Sequence, residues 1–369
     1  MRHCVKCGMP DTRPGSKFNK KGVCQACINY ANRKNIDWED RKKKLKNICE
    51  KYRRDDGYYD CVIPVSGGKD SHRLVYEMKV NMGMNPLLIT VGDIFTKTEA
   101  GLNNYRNVGE TFECDHILFD IAPELFRKVT RIAFEETGEP LKFVETAIRT
   151  VPFKLAIKLG IPLIIFGENS TYEYGTTDKQ TYTANEIVFQ TFKNIDIDYW
   201  LKKGFNKKEL NSITLPNDKE LKKIKPEVLY ISYFFPWSSV TNLGIAKRYG
   251  FRDLSNEWVR DGYIENFEQI DSMGYLIHLW LKYPKFGFQR VSDIASRRVR
   301  EGNLSLEEAK KLIKENDYKI DQKALDDFTS SLGYTTKEFW DIVERFWNRE
   351  IFEKKDGLWK KRKEAWDIL

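Results

Sequence analysis

The feature that most restricts how this 369-residue chain folds is a six-residue run that combines two glycines, two serines, a lysine and an aspartate. An apolar segment (residues 60–65) precedes the run, and a segment with helical spacing of apolar residues (71–82) follows it. Paired glycines let a backbone turn sharply and approach an anion, and the N–H groups at a helix start attract negative charge. We therefore predict a phosphate-binding loop between a strand and a helix, against the alternative of an ordinary glycine-rich turn. The predicted phosphate-binding stretch is Pro64, Val65, Ser66, Gly67, Gly68, Lys69, Asp70 and Ser71.

The side chains of this loop suit phosphate chemistry. Ser66 and Ser71 offer hydroxyl donors, and Lys69 offers a cation. Asp70 either caps the helix or holds Mg²⁺ through water, and Lys69 and Asp70 are the catalytic candidates here. The Walker A motif requires four residues between its first glycine and Gly-Lys, so this loop belongs to another class.

Apolar strands alternate with helices from residue 60 to about residue 180. The predicted strands are 60–65, 86–91, 116–120 and 161–166, with 228–235 as an edge or fifth strand. Continuous apolar strands separated by helices indicate an α/β fold, a parallel sheet with helices on both faces. Beyond residue 240 the chain reads as mainly helical, with capping boxes at Ser305/Glu308 and Thr335/Glu338.

Ligands of open parallel sheets bind at the carboxyl ends of the strands. Thr90 lies at the end of the second predicted strand, Asp93 follows that strand and Gly167 follows the fourth, so we expect all three near the phosphate ligand. Each alone is a weak signal, because polar residues after strands are usually turns or caps.

Two cysteine pairs lie near the start of the chain, sixteen residues apart. Two-residue spacing lets both thiolates of a pair reach one tetrahedral ion, so the four predict a structural zinc site, with an iron–sulfur cluster as the alternative. A bound metal would also fold some 30 residues that have no apolar core. The predicted ligands are Cys4, Cys7, Cys24 and Cys27.

These patterns divide the chain into four parts. We predict a cysteine module at 1–34, a linker helix at 35–56, a nucleotide-binding domain at 57–240 and a helical region at 241–369. The net charge of +8 suits phosphate ligands and permits nucleic acid, and equally fits a solvated lysine-rich surface. Without a long apolar stretch or secretory signal, we expect a cytoplasmic protein that does not enter the membrane.

The loop matches the SGGxDS signature and so resembles the PP-loop ATP pyrophosphatases, whose fold is called HUP-like or adenine nucleotide alpha hydrolase-like. That resemblance implies cleavage of ATP to AMP and pyrophosphate, with Mg²⁺ bound to ATP and the loop holding the pyrophosphate.

Over nearly its whole length the chain resembles the N-acetyl sugar amidotransferases of bacterial O-antigen and flagellin-glycan pathways, including the PseA-like pseudaminic acid proteins. Beyond the loop and the cysteine pairs, the resemblance rests on 98–104, 167–169, 173–175, 233–237 and 285–288, followed by Asp293, Ser296 and Arg300. The chain departs from the pattern at Ser238-Ser239, where relatives often carry an acidic residue and a glycine. That departure leaves the details of the substrate open.

The implied reaction converts an acetamido group of a sugar, nucleotide-linked or free, into an acetamidino group. Glu168 or Glu173 would orient or deprotonate ammonia, although solvated or capping carboxylates are an even alternative. A basic helix face and core aromatics are the alternatives for several of the other sugar-binding candidates. The substrate-binding candidates are Thr98, Glu99, Asn169, Tyr174, Trp237, Lys285, Phe286, Arg297 and Arg300.

The chain shows no glutaminase nucleophile: residue 2 is arginine, and no cysteine lies in a G-x-C-x-G elbow. The resemblance therefore implies a separate glutaminase subunit as the source of ammonia and suggests a cyclase-like subunit as a second partner.

Two alternative functions stay open. A tRNA thiolation enzyme would share the loop, the cysteine pairs and the basic charge, but downstream of the loop only Cys114 is left to carry sulfur, so nucleic acid is a less favoured partner. A non-catalytic zinc-knuckle module with a degenerate nucleotide pocket is the other, and the intact loop argues against it.

Overall fold

The centre of the molecule is a five-stranded parallel sheet, which confirms the predicted fold class. A computed structural model describes residues 1–167, 169, 174–177, 181–183 and 195–363. The strands are β1 (Cys61–Pro64), β2 (Pro86–Val91), β3 (His116–Phe119), β4 (Leu163–Phe166) and β5 (Glu227–Tyr230). They are ordered β3-β2-β1-β4-β5, and every neighbouring pair is parallel. The order changes direction between β1 and β4, and a crevice at such a switch point is where ligands of this architecture bind.

The described helices up to β5 precede or connect the strands. They are α1 (Gln25–Asn32), α2 (Trp38–Tyr52), α3 (Lys69–Val75), α4 (Glu99–Glu110), α5 (Pro123–Thr137), α6 (Lys142–Lys158), α7 (Ile197–Lys202) and α8 (Asp218–Ile224). Helix α3 starts two residues earlier than expected and continues as a π-helical stretch, Tyr76–Asn81.

Alternating strand residues enter two separate cores, so both faces of the sheet are covered. Cys61 and Ile63 pack with α2, α3 and α4 on one face. Val62, between them, packs with α6 and α8 on the other. This is the alternation that a parallel sheet buried on both sides requires.

The last strand is shorter than predicted. The expectation of strand from 228 to 235 is wrong beyond Tyr230, because a 3₁₀ turn, Ile231–Tyr233, follows. Phe234 and Phe235 are both buried in the same core, whereas adjacent strand residues would point to opposite faces. The turn carries the chain across the carboxyl edge of the sheet.

The C-terminal region is mainly helical and shares a core with α5 and α6. Its elements are α9 (Ser239–Arg248), α10 (Tyr275–Trp280), α11 (Lys282–Phe286), α12 (Arg290–Arg300), α13 (Leu306–Asn316), α14 (Gln322–Leu332), α15 (Thr336–Val343) and the hairpin of β6 (Phe352–Lys355) and β7 (Leu358–Lys361). Phe134 of α5 stacks on Phe339 and meets Phe328 edge-on, so the two regions form one apolar core. Both predicted capping boxes are present, at α13 and α15. The shared core does not mark a boundary at residue 240, so the proposed domain boundary there stays a prediction.

No helix within the described ranges is both long enough and apolar enough to cross a bilayer.

Candidate active site

The phosphate loop lies between β1 and α3, at the carboxyl end of the central strand. Gly67 has φ of +85°, and a Cβ there would lie 2.8 Å from the backbone nitrogen of Tyr105. A side chain at this position would therefore meet both a backbone penalty and the backbone of α4. Ser66 N donates to Ser71 Oγ over 3.0 Å, and Gly68 N donates to Ser66 Oγ over 3.2 Å. The two serines thus hold the loop in shape.

His72, which sequence reasoning missed, supports the loop from beneath. Its side chain is fully buried, and the Asn107 amide donates to both His72 Nε2 and the carbonyl of Tyr249. That arrangement leaves His72 Nδ1 as the donor to the carbonyl of Gly68, at 3.2 Å. Burial lowers the pKa of His72 to about 4, so the ring is neutral near pH 7.

Lys69 is buried and lies between two carboxylates. Its Nζ is 2.7 Å from Asp70 Oδ2 and 3.1 Å from Glu268 Oε1. Burial alone would lower the pKa of Lys69, but Asp70 and Glu268 outweigh it, and the pKa lies above its ordinary value. Asp70 also accepts a hydrogen bond from Asn242 Nδ2 of α9 over 2.7 Å. Lys69 is therefore a fixed, permanently charged group beside the loop.

Glu268 lies at the centre of a buried ionic cluster that no sequence motif indicated. Arg290 and Arg297 both pair with its carboxylate, and Ser239 Oγ donates to it over 2.7 Å. The predicted sugar-binding Arg297 thus pairs with the same carboxylate, Glu268, that Lys69 contacts. Residues from α9, α12 and the α9–α10 connection all close on the phosphate loop.

Several predicted residues gather at the carboxyl edge of the sheet. Thr90 Oγ1 donates to the carbonyl of Val65 over 2.7 Å and accepts from His116 Nε2, so it ties β1, β2 and β3 together. Gly167 and Asn169 follow β4, where Gly167 O accepts from Ser232 N and Asn169 N donates to Ser232 Oγ.

Trp237 lies beside this edge, near Gly167. The indole is 3.8 Å from the point where a Cβ on Gly167 would lie. Trp237 and Gly167 thus lie on the β4 side of the crevice between β1 and β4, and the phosphate loop lies on its β1 side.

Three predicted residues have structural partners instead. Asp93 accepts from Phe95 N and binds Lys97 Nζ at 2.7 Å, so it shapes its own loop. Thr98 caps α4, accepting from Gly101 N over 2.8 Å, and its hydroxyl donates to the carbonyl of Ile270. The backbone N–H of Glu99 donates to Glu257, while the side chain of Glu99 is exposed.

Three further predicted sugar-binding residues have partners in other parts of the chain. Lys285 Nζ donates to the carbonyl of Gly138 at the end of α5, and the carbonyl of Phe286 accepts from Thr12 Oγ1 of the cysteine module. Arg300 Nη1 lies 3.7 Å from Cys7 Sγ. We leave these three out of the site proposed below, because the helices that carry them direct them to these partners.

Tyr174 lies between the cysteine module and the ionic cluster. Its hydroxyl is 3.4 Å from Arg290 Nη1, and the guanidinium of Arg13 stacks 3.8 Å from its ring centroid. The catalytic candidates Glu168 and Glu173 lie outside the described residues.

The four paired cysteines converge into one buried cluster. Their sulfur atoms all lie within 4.8 Å of one another, with Cys4 to Cys27 at 3.8 Å and Cys7 to Cys24 at 3.7 Å. Bonds of about 2.3 Å to one tetrahedral ion place sulfurs about 3.8 Å apart, so the cluster fits a single ion.

Comparison with known proteins adds a family assignment for one part of the chain. Residues 260–365 match the family described as "LPS biosynthesis protein WbpG-like, C-terminal domain". This match confirms the predicted resemblance to surface-glycan biosynthesis proteins. Glu268, Arg290 and Arg297 all belong to the matched region.

Two curated relatives cover smaller parts of the chain. An uncharacterized protein of Methanocaldococcus jannaschii is 26% identical over 150 residues, which are 41% of this chain and 52% of that protein. A tRNA (guanine(26)-N(2))-dimethyltransferase of Methanococcus aeolicus is 29% identical over 119 residues, 31% of each chain. The chain thus spans about half the length of the first relative and a third of the second.

Among solved structures, the NH3-dependent NAD synthetase of Campylobacter jejuni aligns with 58% of this chain and 93% of its own, at 16% identity and a TM-score of 0.30. So low a score says nothing about function. The region matched by the family model therefore borders a phosphate loop on a parallel sheet, since Glu268 contacts Lys69.

Proposed function

We propose that the chain is an ATP-dependent amidotransferase, which adenylylates the N-acetyl group of a surface-glycan sugar and replaces its oxygen with ammonia. One observation carries the proposal. Lys69 of the phosphate loop lies 3.1 Å from Glu268, which belongs to the WbpG-like domain. The part of the chain that resembles glycan enzymes therefore borders the part suited to ATP.

The chemistry follows from the weakness of an amide as an electrophile. Its nitrogen donates electrons into the carbonyl, so the carbon resists attack. The amide oxygen attacks the α-phosphorus of ATP, the bond to the bridging oxygen breaks, and pyrophosphate leaves. Ammonia then adds to the activated carbon, loses a proton, and AMP departs with the former amide oxygen. The product is an acetamidino sugar.

The chain's own groups mainly position and stabilise charge. The loop N–H groups and Lys69 offset the charge that develops on pyrophosphate. Asp70, whose side chain is about a third exposed, is the loop carboxylate that would hold Mg²⁺, directly or through water. The ion would offset further phosphate charge. Gly167, Asn169, Tyr174 and Trp237 are our candidates to border the sugar, with Glu168 and Glu173 as candidates to bind ammonia.

We assign zinc to the cysteine cluster, because four thiolates around one ion are typical of structural zinc sites. The partner that supplies ammonia is a glutaminase subunit, with a cyclase-like subunit beside it, and the reaction takes place in the cytoplasm.

The position of Cys114 argues against tRNA thiolation. Cys114 directly precedes β3, at the amino edge of the sheet, whereas the loop lies at the carboxyl edge. Burial raises the pKa of its thiol to about 11, so little thiolate is present near pH 7. A sulfur carrier would have to reach the nucleotide site as a thiolate or persulfide.

The test is an assay of AMP and pyrophosphate formation with Mg-ATP, ammonium and a panel of acetamido sugars, with mass spectrometry of the sugar. We expect AMP formation that requires both ammonium and one class of sugar. Lys69→Met should lower the rate by about 100-fold, since it removes a donor to the leaving group. The exposed Lys51, paired with Glu227, offers the control Lys51→Met, which should retain the wild-type rate. AMP formation that responds to bulk tRNA and to none of the sugars contradicts the proposal.

A further inference from the structure

Glu268 has more ionic partners than a carboxylate needs for stability alone. Three cations contact it, namely Lys69, Arg290 and Arg297, although its side chain is only 3% exposed. Burial would raise the pKa of Glu268, but Arg297, Lys69 and Arg290 outweigh it and hold the pKa well below its ordinary value. A buried ion network of this kind is weak evidence for stability, which leaves room for a role at the adjacent phosphate loop.

The charge balance of the cluster indicates what that role is. Lys69, Arg290 and Arg297 contribute three positive charges, and Glu268 and Asp70 contribute two negative charges. The surplus of one positive charge suits an anion. Because the two arginines more than offset the charge of Glu268, this carboxylate orients Lys69 without cancelling the charge that phosphate would meet.

A chain of contacts runs from this cluster to the cysteine module. Arg290, paired with Glu268, lies 3.4 Å from the hydroxyl of Tyr174. The ring of Tyr174 carries the guanidinium of Arg13, which also pairs with Asp293 of α12. Arg13 lies between the two cysteine pairs in sequence. The fold of the cysteine module therefore fixes the position of Arg13, where this series of contacts ends.

We infer that Glu268 is a positioning residue for Lys69, and that Arg13 of the cysteine module holds the other end of the same network through Tyr174 and Arg290. The inference depends on one part of the proposed function, namely that Lys69 contacts a phosphate group. It does not depend on which substrate is activated. The cysteine module thereby contributes to the geometry of the phosphate site as well as to its own folding.

The first test compares Glu268→Gln with Glu268→Asp and with Asp317→Asn. Asp317 is an equally buried carboxylate of the same region, bound to Ser292 and Gln289, and so serves as the matched control. For AMP formation we expect Glu268→Gln to lower kcat about tenfold with little change in the KM for ATP. Glu268→Asp should recover part of the loss, and Asp317→Asn should keep the wild-type kcat even if its Tm falls. A wild-type kcat in Glu268→Gln overturns the inference. So does an equal loss of kcat in Asp317→Asn at a similar fall in Tm, because the loss would then reflect lower stability alone.

The second test concerns the far end of the network. Arg13→Met should lower kcat about threefold while the metal content per chain stays unchanged. In the double variant with Glu268→Gln, kcat should fall no further than in Glu268→Gln alone, because both changes disturb one network. Fully additive losses overturn the link between the two residues.

A third measurement does not depend on activity. Crystal structures of the wild type and of Glu268→Gln, each with inorganic pyrophosphate, should show the Lys69 amine displaced in the variant. An unmoved Lys69 overturns the inference whatever the substrate is. If no sugar supports AMP formation but Lys69 is displaced as expected, the proposed function fails and the positioning role of Glu268 stands.

Discussion

At the scale of residues, the loop is held by contacts that leave little room for substitution. Gly67 lies against α4, Ser66 and Ser71 bind the loop backbone, and the buried His72 donates to the carbonyl of Gly68. These contacts fix the direction of the loop N–H groups before any ligand arrives. A preorganised donor set of this kind stabilises developing charge without reorganising during the reaction.

Gly67→Ala should therefore damage the loop specifically. The new Cβ would lie 2.8 Å from Tyr105 N in addition to straining a φ of +85°. We expect binding of Mg-ATP to weaken at least tenfold by calorimetry, roughly the effect of 1.4 kcal/mol. Gly204→Ala is the matched control, because Gly204 has φ of +90° with nothing within 4 Å of its added Cβ. Equal ATP affinity of the two variants would refute this account of the loop.

His72 predicts a pH dependence of stability. Its folded pKa of about 4 lies below the ordinary 6.5, so the unfolded chain binds the proton more readily. The stabilising contribution is therefore complete above pH 6.5 and is lost as pH falls toward 4, by about 3 kcal/mol in all. The free energy of unfolding, measured in urea between pH 4 and 7, should change less steeply with pH in His72→Gln than in the wild type. Identical slopes would mean that His72 is not buried as a neutral ring.

At the scale of elements, the start of α4 is joined to a segment some 160 residues further along the chain. Thr98 N donates to the carbonyl of Asp271, and Met273 N donates to the carbonyl of Thr96. Asn104 of α4 both donates to and accepts from the backbone of Arg252. The run 98–104, which helps to carry the family resemblance and holds the substrate candidates Thr98 and Glu99, thus attaches the C-terminal region to the sheet.

This element also shows what the sequence could and could not predict. Most strands, the two capping boxes and the cysteine pairs depend on neighbours within a few residues, so local patterns predict them. The exception is β5, which ends at Tyr230, short of the predicted residue 235. Glu268 and Asn242 reach Lys69 and Asp70 across more than 170 residues, and nothing in their local sequence marks them. The same limit applies to Thr98, whose hydroxyl donates to the carbonyl of Ile270, 172 residues further along the chain.

Glu257 provides a test of this attachment. Its carboxylate accepts from Glu99 N at 2.7 Å and from Ala100 N at 2.9 Å, two donors that a helix start leaves without intrahelical partners. Glu257→Ala should lower the free energy of unfolding by about 1–2 kcal/mol in urea titrations. Glu307→Ala, at the exposed start of α13, should change it by less than about 0.5 kcal/mol. A Glu257 variant as stable as this control would contradict the described contact.

At the scale of the whole molecule, three parts of the chain meet at one site. The loop supplies Lys69, the region similar to WbpG-like proteins supplies Glu268 and Arg290, and the cysteine module reaches them through Arg13 and Tyr174. Such an arrangement makes the integrity of the cysteine module relevant to ATP chemistry.

Metal substitution tests the module directly. Protein prepared with Co²⁺ should show thiolate-to-cobalt charge transfer and tetrahedral d–d bands, at one ion per chain. Cys24→Ser should reduce metal content and lower Tm, because the fold of the module depends on the ion. Cys49→Ser, at a buried cysteine outside the cluster, should retain the metal. If the purified protein instead contains iron and acid-labile sulfide and absorbs visible light, the zinc assignment is wrong and the cysteines bind an iron–sulfur cluster.

The most direct test of the central claim follows one oxygen atom. An acetamido sugar that supports AMP formation is prepared with a heavy oxygen isotope in its acetyl carbonyl and incubated with Mg-ATP and ammonium. Because the amide oxygen attacks the α-phosphorus, the account predicts that the label appears in AMP and that the sugar carries nitrogen in its place. Label retained in the sugar, or unlabelled AMP formed alongside an aminated sugar, would contradict activation of the N-acetyl group by adenylylation.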